Sequence, residues 1–432
     1  VIETRWCIEG AVVVRTLPTV HHPDEEREAC RPLKTAPAYD RQKALGAQFG
    51  QVNGWERPNY YGPVDAPSNF DHDARSFRRG GWWQYAHDEA KAVREAAGLI
   101  DATAFTKHMV RGPGATAFLD WFTCNKLPKV GRINLTYALT SAGTTRTEYT
   151  IVRLAENDYY LVSAGAWQAY DSDYLQKAIE DFMAGGGAFV SATDVTGQWG
   201  VFAIAGPKSR DILNGLIRDA DPATALSNKR FPWLSARQIE LGMCPVNAIR
   251  VAYTGELGWE LHHPMEMQTY LFDQLMLLAE KDGMKLVGAR AQNWLRQEKS
   301  YRAFGTELGR DATPLEAGLD RFVDLSKDFF GKAAMVETGI RSKCVTVLID
   351  GPDDADPWGR EALYDGDTKV GRLTSGGYSV AFGKQIGMGY VSPALAVTGQ
   401  KLKVKMQNQL WDAEVVEDSP YDPTNGTIRK DG

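Results

Sequence analysis

Two acidic residues beside a glycine turn are the first candidates for chemistry in this sequence. Glu256 and Glu260 fall within residues 253–261, where two glycines place a tight turn between strand-like segments. On an extended strand Glu256, Gly258 and Glu260 share one face, so a carboxylate there can point across a pocket and accept hydrogen bonds from a ligand. The alternative is an ordinary hairpin with solvated acids.

Two further blocks are rich in glycine at the ends of predicted elements. Residues 92–101 and 110–115 have the pattern of a helix, its cap and a strand that ends in a turn, and Asp101 can serve there simply as a loop acceptor. Residues 370–377 and 386–390 are glycine-dense strand ends, where backbone can approach another surface closely. Taken singly, each block indicates architecture only.

Motifs for several common chemistries are absent from the sequence. There is no GxGxxG after a strand, no P-loop, no HExxH and no GxSxG, so the usual signals of dinucleotide binding, phosphate chemistry, zincin hydrolysis and the α/β-hydrolase elbow are missing. The adjacent pairs His21-His22 and His262-His263 would point to opposite faces of an extended chain. This arrangement predicts surface or edge positions and no metal site.

Composition and charge limit the classes of protein. The chain has 432 residues, 43% hydrophobic and 24% charged, which is typical of a folded globular protein with two or three packed units. Its 49 Lys and Arg against 55 Asp and Glu give a net charge of −6, which argues against nucleic acid as a partner. The apolar runs are of strand length, so no membrane span is expected.

The cysteines bear on the cellular compartment. They are five in number, widely spaced and without a CxxC pair, which indicates a reducing environment and no disulfide scaffold. Since no presequence is visible, we expect the cytoplasm, with the mitochondrial matrix as the alternative. The chain begins at Val1 rather than Met, which is consistent with a processed or separated piece of a longer protein.

The elements that must position these residues mix helix and sheet without regular alternation, so the predicted fold class is α+β. Gly98 sits where the first helix is expected to stop. Periodicity predicts helices at residues 85–99, 170–183 and 268–281, and strands at 135–139, 149–152, 201–205, 248–253 and 257–262. Short β-rich segments then follow at 344–349, 369–373, 386–390 and 401–406.

Three regions follow from these patterns. Residues 1–65 are interrupted by six prolines and predict an extended connecting arm, whose aromatic residues indicate that it docks against another surface. Residues 66–340 predict a region of two α+β subdomains. Residues 341–432 predict a separate small β domain.

In their order along the chain, the blocks resemble the folate-dependent aminomethyltransferase family, which includes the T-protein of the glycine cleavage system. The resemblance runs from about Tyr85 to the C-terminus and includes residues 295–298, 313–319 and 329–332. It implies three subdomains in a ring around a central tetrahydrofolate channel, with a C-terminal antiparallel β-barrel.

The arm extends the resemblance. Residues 25–35, 39–41 and 54–59 look like the segment that joins the flavin half to the folate half in dimethylglycine and sarcosine dehydrogenases. The flavin half itself is absent from the sequence. The resemblance therefore implies the folate half of a demethylating enzyme, with FAD held only in a partner domain or subunit.

The resemblance also implies which residues bind the cofactor. Pterin presents an amino group beside an N–H, a donor pair that one carboxylate can accept bidentately. The family residue that does so matches Glu260 here. Tyr253 matches a residue that lines the same pocket, Arg290 matches a family arginine near the cofactor, and Tyr390 is a further candidate for cofactor binding.

One stretch departs from the family pattern. The family places a carboxylate, often an Asp-Asp pair, after the glycine turn of the strand hairpin, where it assists proton transfer. At those two positions this chain has Thr147 and Glu148. Glu148 is the candidate catalytic base, although Arg146 can instead tie it into a surface ion pair. Asp101 matches a family aspartate and is the second catalytic candidate, with a structural role as its alternative.

The function implied is capture of a one-carbon unit by tetrahydrofolate during demethylation of a small N-methylated amine, giving 5,10-methylene-tetrahydrofolate. A flavoprotein partner would supply the oxidised carbon. Two alternatives stay open: redox-neutral methyl transfer from a sulfonium or quaternary ammonium donor, and a non-catalytic folate-binding or scaffold subunit.

Overall fold

The computed structural model describes residues 25–26, 31–64 and 76–430. The predictions for Cys7, Cys30, His21 and His22 fall outside these residues. The helices are α1 (Tyr39–Ala44), α2 (Trp83–Glu95), α3 (Ala115–Phe122), α4 (Gln168–Ala184), α5 (Ser209–Asn214), α6 (Pro222–Ala225), α7 (Gln268–Asp282), α8 (Ala289–Glu298), α9 (Lys332–Thr338) and α10 (Gly426–Arg429). Within the described ranges, every helix is too short or too polar to cross a lipid bilayer.

The strands form a hairpin, two larger sheets and a barrel. They are β1 (Ala47–Val52), β2 (Trp55–Tyr61), β3 (Ala97–Asp101), β4 (Thr106–Arg111), β5 (Ile133–Leu139), β6 (Thr145–Ala155), β7 (Asp158–Ser163), β8 (Ser191–Asp194), β9 (Trp199–Ala205), β10 (Ala236–Leu241), β11 (Cys244–Ile249), β12 (Gly258–Pro264), β13 (Met284–Leu286), β14 (Lys343–Ile349), β15 (Ala362–Asp365), β16 (Thr368–Ser379), β17 (Lys384–Val391), β18 (Lys401–Met406) and β19 (Gln409–Val416). The α+β fold class is confirmed.

The first large sheet has five antiparallel strands in the order β5-β6-β7-β4-β8. Helices α3 and α4 cover one of its faces, where Phe118 and Leu175 pack with Tyr149. Burial alternates along β6, because successive side chains of a strand point to opposite faces. Tyr149 therefore enters this core, while the neighbouring Glu148 points to the other side of the sheet.

The second large sheet has six strands in the order β10-β11-β12-β9-β3-β13, all antiparallel except for the pair β3-β13. Helices α5 and α7 cover one part of it around Trp259 and Leu261 of β12. Helices α2 and α8 pack on another part, around Ile100 and Ala205. Because side chains alternate along β12, Glu260 and His262 point away from the core that holds Trp259 and Leu261.

The two large sheets meet through an apolar cluster. Met109, Tyr160 and Val162 of the first sheet pack there with Ile249 of the second. The face of β12 that carries Glu260 and His262 is turned toward this contact, since His262 bonds to Tyr160. Polar groups of both sheets are thereby brought together inside the molecule.

Strands β14 to β19 close into a six-stranded antiparallel barrel in the order β14-β17-β16-β15-β18-β19. Its interior is filled by aliphatic residues such as Val347, Leu363 and Val404. The sequence predicts four of these strands, and β15 and β19 complete the barrel. The implied C-terminal antiparallel β-barrel is confirmed.

The described part of the arm is folded. Where the sequence predicts an extended segment, the structure has α1 followed by the β1-β2 hairpin. Ala38 belongs to the core of the six-stranded sheet. The Gln42 amide donates to Asp101 at 2.7 Å, and the Tyr61 hydroxyl donates to Gln42 at 2.6 Å. The described part of the arm thus lies against the second sheet, as its aromatic residues predict.

The helix predicted over residues 85–99 ends earlier. Helix α2 stops at Glu95, and residues 97–101 form the fully buried strand β3. Gly98 lies inside this strand, where an added Cβ would come within 2.5 Å of the Val93 side chain and 2.7 Å of Val287. Helical spacing runs past the true end because pairing with β9 and β13 overrides local periodicity.

Candidate functional site

Glu260 is the acid that the fold aims into a cleft. It sits on β12, between Ala203 of β9 and Ile249 of β11. Its side chain keeps 13% exposure, and its Oε2 lies 3.2 Å from Nε2 of His262. Within the described chain its Oε1 has no hydrogen-bond partner. One carboxylate oxygen is thus anchored and the other is available to a ligand.

The cleft beside Glu260 is narrow and largely apolar. It is lined by Ala102, Phe105, Ala203, Val251 and Ala252, with Tyr253, Thr254 and Gln292 adding polar groups. Its free volume is about 10 Å³, which is the space of one water molecule. The Thr254 hydroxyl is buried there and lacks a hydrogen-bond partner in the described chain. A flat ligand would therefore displace partly exposed side chains such as Gln292 on entry.

Tyr253 connects this cleft to a second polar region. Its hydroxyl donates to the carbonyl oxygen of Arg302 at 3.0 Å, and its ring stacks on Tyr301 with centroids 5.9 Å apart. Burial raises the pKa of the hydroxyl; Arg296 opposes this effect, and the negative charges of Glu148 and Glu307 add to it. The structure thus brings Tyr253 and Glu148 into one electrostatic neighbourhood.

Glu148 has the acid-base properties of a proton carrier. It lies on β6 opposite Tyr137 of β5 and retains partial exposure. Enough protein surrounds it that burial raises the pKa of its carboxyl to about 7, against the lowering effects of Tyr137 and Arg296. Such a carboxyl can take up and release a proton near neutral pH.

The residues beside Glu148 point elsewhere. Thr147 is 1% exposed and lies on the same side of β6 as Tyr149. Burial raises the pKa of the Asp171 carboxyl of α4 to about 6, against the lowering effects of Ser163 and Thr147. The Arg146 guanidinium stacks over Tyr174 at 4.5 Å and also over Tyr170. Among the described residues Arg146 makes no ion pair with Glu148. The surface-pair alternative for Glu148 is therefore not the arrangement in this structure.

A buried ion pair between Arg296 and Glu307 borders this region and was missed as a functional feature by sequence reasoning. Arg296 on α8 donates to Glu307 Oε2 at 2.8 Å and to Ser375 Oγ of the barrel at 2.6 Å. Burial acts to raise the pKa of Glu307, but Arg296 and several hydrogen bonds outweigh it and lower that pKa. Residues 295–298 are part of the family resemblance in the sequence, but that resemblance assigns no role to Arg296.

Tyr390 lies on the barrel side of the same ion pair. Its hydroxyl donates to the backbone carbonyl of Glu307 at 2.8 Å. Tyr390 lies on β17, where its backbone pairs with Cys344 of β14. The predicted cofactor-binding residue thus lies near Arg296 and Glu307, with its hydroxyl already engaged.

Asp101 is held inside the protein rather than in the cleft. It ends β3 with 9% exposure, and its Oδ1 accepts a bond from the Thr103 amide at 2.9 Å. Its Oδ2 accepts the Gln42 amide of the arm. Burial raises its pKa, and the bonds from Thr103 and Gln42 oppose the rise. Both oxygens are therefore engaged, Oδ1 by the turn that follows β3 and Oδ2 by the arm.

The structure places Arg290 apart from the cleft of Glu260. It lies on α8, with its guanidinium 3.9 Å from the Trp82 ring, and lines another depression with Asn293 and Trp358. Glu256 is also separate, because it pairs with Arg94 at 2.8 Å and is 3% exposed. Glu256 is therefore neither a solvent-exposed acid of a hairpin nor a member of the cleft that holds Glu260.

The two adjacent histidines are buried, which corrects the prediction of surface or edge positions. Strand β12 is internal to its sheet, and both His262 and His263 are 0% exposed. Their opposite orientation is as predicted: His263 stacks on Phe202 at 5.1 Å, and His262 faces Tyr160. In the ranges that the structure covers, no group of side chains could hold a metal ion.

Comparison with protein families gives two matches that together cover most of the chain. The model described as GCVT N-terminal domain matches residues 38–327. The model described as Glycine cleavage T-protein C-terminal barrel domain matches residues 343–422.

Comparison with individual proteins finds relatives of the same kind. The chain is 32% identical over 420 residues to "Dimethylglycine dehydrogenase, mitochondrial" of Rattus norvegicus, which covers 96% of this chain and 48% of the rat protein. It is 27% identical over 390 residues to "Aminomethyltransferase" of Desulfitobacterium hafniense (strain Y51), covering 89% of this chain and 97% of that protein. The chain thus spans about half the length of the dimethylglycine dehydrogenase that it matches.

A solved structure shares the fold. The glycine cleavage system aminomethyltransferase T from Bartonella henselae superposes with a TM-score of 0.74 at 23% identity, over 90% of this chain and 99% of the other.

Proposed function

The chain belongs to the glycine cleavage T-protein family, and from this premise we propose that it binds tetrahydrofolate and catalyses one-carbon transfer onto it. The observation that carries the proposal is the Glu260 carboxylate, which is partly exposed in a largely apolar cleft and has one oxygen without a hydrogen bond from the described residues. A partly exposed acceptor of this kind suits a ligand that presents paired N–H donors.

The residues of the cleft fit the pterin ring in their chemistry. Glu260 would accept the ring's amino group and adjacent N–H, and the unpartnered Thr254 hydroxyl offers a further polar contact. Phe105 and Tyr253 provide the walls that a flat heteroaromatic ring requires. Tetrahydrofolate supplies the nucleophilic nitrogen atoms that take up the one-carbon unit.

Glu148 would serve as the proton carrier of this site. Its carboxyl, with a pKa of about 7, can hold a proton or accept one at neutral pH. The nearby Tyr253 and the surrounding buried groups exclude water, which favours transfer over loss of a reactive carbon to solvent. Because Thr147 stands at the position of the family's first acid, Glu148 is the acid that remains at these two positions to carry the proton.

We further propose a small N-methylated amine as the source of the carbon, with 5,10-methylene-tetrahydrofolate as the product. The relative named dimethylglycine dehydrogenase supports this substrate class. A flavin-bearing domain or subunit would oxidise the amine, and residues 1–65 would be the connecting arm to it, followed by a folate-binding region over 66–340 and the barrel region over 341–432. The three described cysteines are buried and free, as suits a reducing compartment such as the cytoplasm or mitochondrial matrix.

Calorimetric titration of the chain with tetrahydrofolate tests the proposal. We expect binding in the micromolar range, about −8 kcal/mol, and about tenfold weaker binding for Glu260→Gln because a charge-assisted hydrogen bond is lost. Glu266→Gln, an exposed acid in the turn after β12, is the matched control and should bind as the parent does. Equal affinity of the parent and Glu260→Gln would remove this cleft as the site.

A second candidate function is a non-catalytic folate-binding or scaffold subunit. It is favoured by Thr147, which stands at the position of the family's first acid and is buried on the side of β6 opposite to Glu148. The two functions differ in the acceleration of methylene-tetrahydrofolate formation from formaldehyde over the spontaneous rate. A scaffold would bind tetrahydrofolate and give no acceleration.

A further inference from the structure

A chain of three polar side chains runs from the interior to Glu260. The Tyr160 hydroxyl lies 3.0 Å from Nδ1 of His262, and Nε2 of His262 lies 3.2 Å from Oε2 of Glu260. The rings of Tyr160 and His262 meet edge to face, at 87° with centroids 5.4 Å apart. We call these three residues the Tyr160–His262–Glu260 relay. It joins β7 of the first sheet to β12 of the second.

Burial fixes the direction of the hydrogen bonds in the relay. His262 is fully buried, which lowers its pKa against the effect of Glu260, and the charge of Lys107 lowers it further. Burial and the charge of Glu260 raise the pKa of Tyr160 well above its ordinary value. A neutral imidazole has one donor and one acceptor, so the Tyr160 hydroxyl donates to Nδ1 and Nε2–H donates to Glu260.

The relay limits the freedom of the Glu260 carboxylate. A glutamate on a strand can adopt several side-chain rotamers, and holding one of them costs conformational entropy when a ligand binds. The bond from His262 holds Oε2 on the protein side and leaves Oε1 toward the cleft. When the acceptor is already held in one orientation, the entropy cost of ordering it on ligand binding is smaller.

We propose that His262 and Tyr160 are positioning residues that hold Glu260 in the orientation that accepts the ligand's N–H groups. The inference rests on the proposed function, because it assigns Glu260 as the acceptor for the pterin ring of tetrahydrofolate. Neither residue touches the ligand in this arrangement. Their effect passes through Glu260 alone.

The test is calorimetric titration of the full chain with tetrahydrofolate. His262→Leu removes both bonds and should weaken binding about tenfold. His262→Gln places an amide N–H near the former Nε2 and should restore binding to within about threefold of the parent. Tyr160→Phe removes a single oxygen atom and should weaken binding by about threefold, with no further loss when it is added to His262→Leu.

His263→Leu is the matched control. It changes a buried histidine one residue away, whose Nδ1 lies 2.8 Å from the Leu261 carbonyl oxygen and which does not touch Glu260. A general loss of packing would affect both histidine variants alike. We expect His263→Leu to lower the free energy of unfolding while the folded protein keeps the parent's affinity.

The outcomes distinguish failure of the folate site from failure of the relay. If Glu260→Gln binds as the parent does, the proposed folate site fails. If Glu260→Gln weakens binding but His262→Leu and Tyr160→Phe both bind as the parent does, the relay is overturned and the site stands. Should His262→Leu fail to fold, Tyr160→Phe decides the question, because a loss of about threefold supports the relay and parent affinity overturns it.

Discussion

The two carboxylates of the proposed site differ through their surroundings. Burial raises the pKa of Glu148 to about 7, and the opposing effects of Tyr137 and Arg296 do not offset the rise. Glu260 instead receives a hydrogen bond from His262 and keeps an edge in the cleft. The same functional group is therefore suited to proton exchange in one place and to ligand binding in the other.

At the residue scale, Glu148→Gln should have opposite effects on activity and stability. The folded state raises the pKa of this carboxyl from 4.5 to about 7, so ionisation destabilises the folded protein as pH rises through this window. The variant should be more stable than the parent by about 1 to 2 kcal/mol at about pH 8, less than the full shift because the group is partly exposed. At about pH 4 this advantage should vanish.

The same variant should slow methylene-tetrahydrofolate formation by at least about 100-fold, since general acid-base catalysis contributes on that scale. Urea unfolding at the two pH values and the rate over the spontaneous reaction are the measurements. Glu240→Gln, exposed on β10, is the control. A stability difference that does not change with pH would contradict the assignment of the proton to Glu148.

At the scale of elements, helix α1 and the β1-β2 hairpin are attached by polar contacts as well as by packing. Gln42 is 1% exposed and bridges Asp101 and Tyr61. Glu89 of α2 accepts bonds from the Tyr61 amide at 2.6 Å and from the Gly288 amide at 2.8 Å. The arm is thus joined to β3, α2 and the start of α8.

Gln42→Ala should loosen this attachment. It leaves a buried Asp101 oxygen without its donor, which costs about 1 to 3 kcal/mol. We expect a lower free energy of unfolding in urea and faster proteolytic cleavage within residues 31–64. Gln51→Ala, at an exposed position on β1, should leave both unchanged. Equal cleavage rates for the two variants would show that packing alone holds the arm.

At the scale of the whole molecule, the Arg296–Glu307 ion pair joins the second sheet to the barrel. Arg296 reaches Ser375 of β16 and the Tyr301 carbonyl, and Glu307 accepts bonds from Thr374 at 2.7 Å and from Ser375. Both charged residues are nearly fully buried. The pair therefore links α8 to β16 of the barrel, beside Tyr253 and Glu148.

Arg296→Met should destabilise the protein in a pH-dependent way. It leaves Glu307 as an unpaired buried carboxylate, at a cost of about 3 to 5 kcal/mol near neutral pH. The parent holds the pKa of Glu307 below its ordinary value, so the pair's contribution is present above that value and declines in acid. In the variant the carboxyl can protonate, and the difference from the parent should shrink as pH falls to about 5.

Urea unfolding at about pH 7.5 and about pH 5 measures this change. The control is Lys401→Met, which breaks an exposed ion pair with Glu414 on the barrel surface and should have little effect at either pH. An equal loss of stability for Arg296→Met at both pH values would mean that lost packing, and not the unpaired charge, dominates.

Local patterns of the sequence determined much of the architecture. Alternation over residues 401–406 and helical spacing over 268–281 matched β18 and α7 closely, because one face of each element is buried and periodicity records that face. The order of short motifs indicated the family and the C-terminal barrel. It also singled out Glu260, Glu148 and Tyr253 as residues of interest, through resemblance to the family.

Tertiary structure decided which of these residues meet and in what state. Tyr160 and His262 are 102 positions apart in the sequence. Glu148 lies on β6 of the first sheet, and Arg296 lies on α8, which packs on the second sheet. No short sequence spacing relates the members of either pair. The packing of the two large sheets brings Tyr160 and His262 together. The packing of the barrel on α8 encloses Arg296 near Glu148. Burial, which depends on every neighbour at once, then sets the hydrogen-bond direction of His262 and the pKa of Glu148.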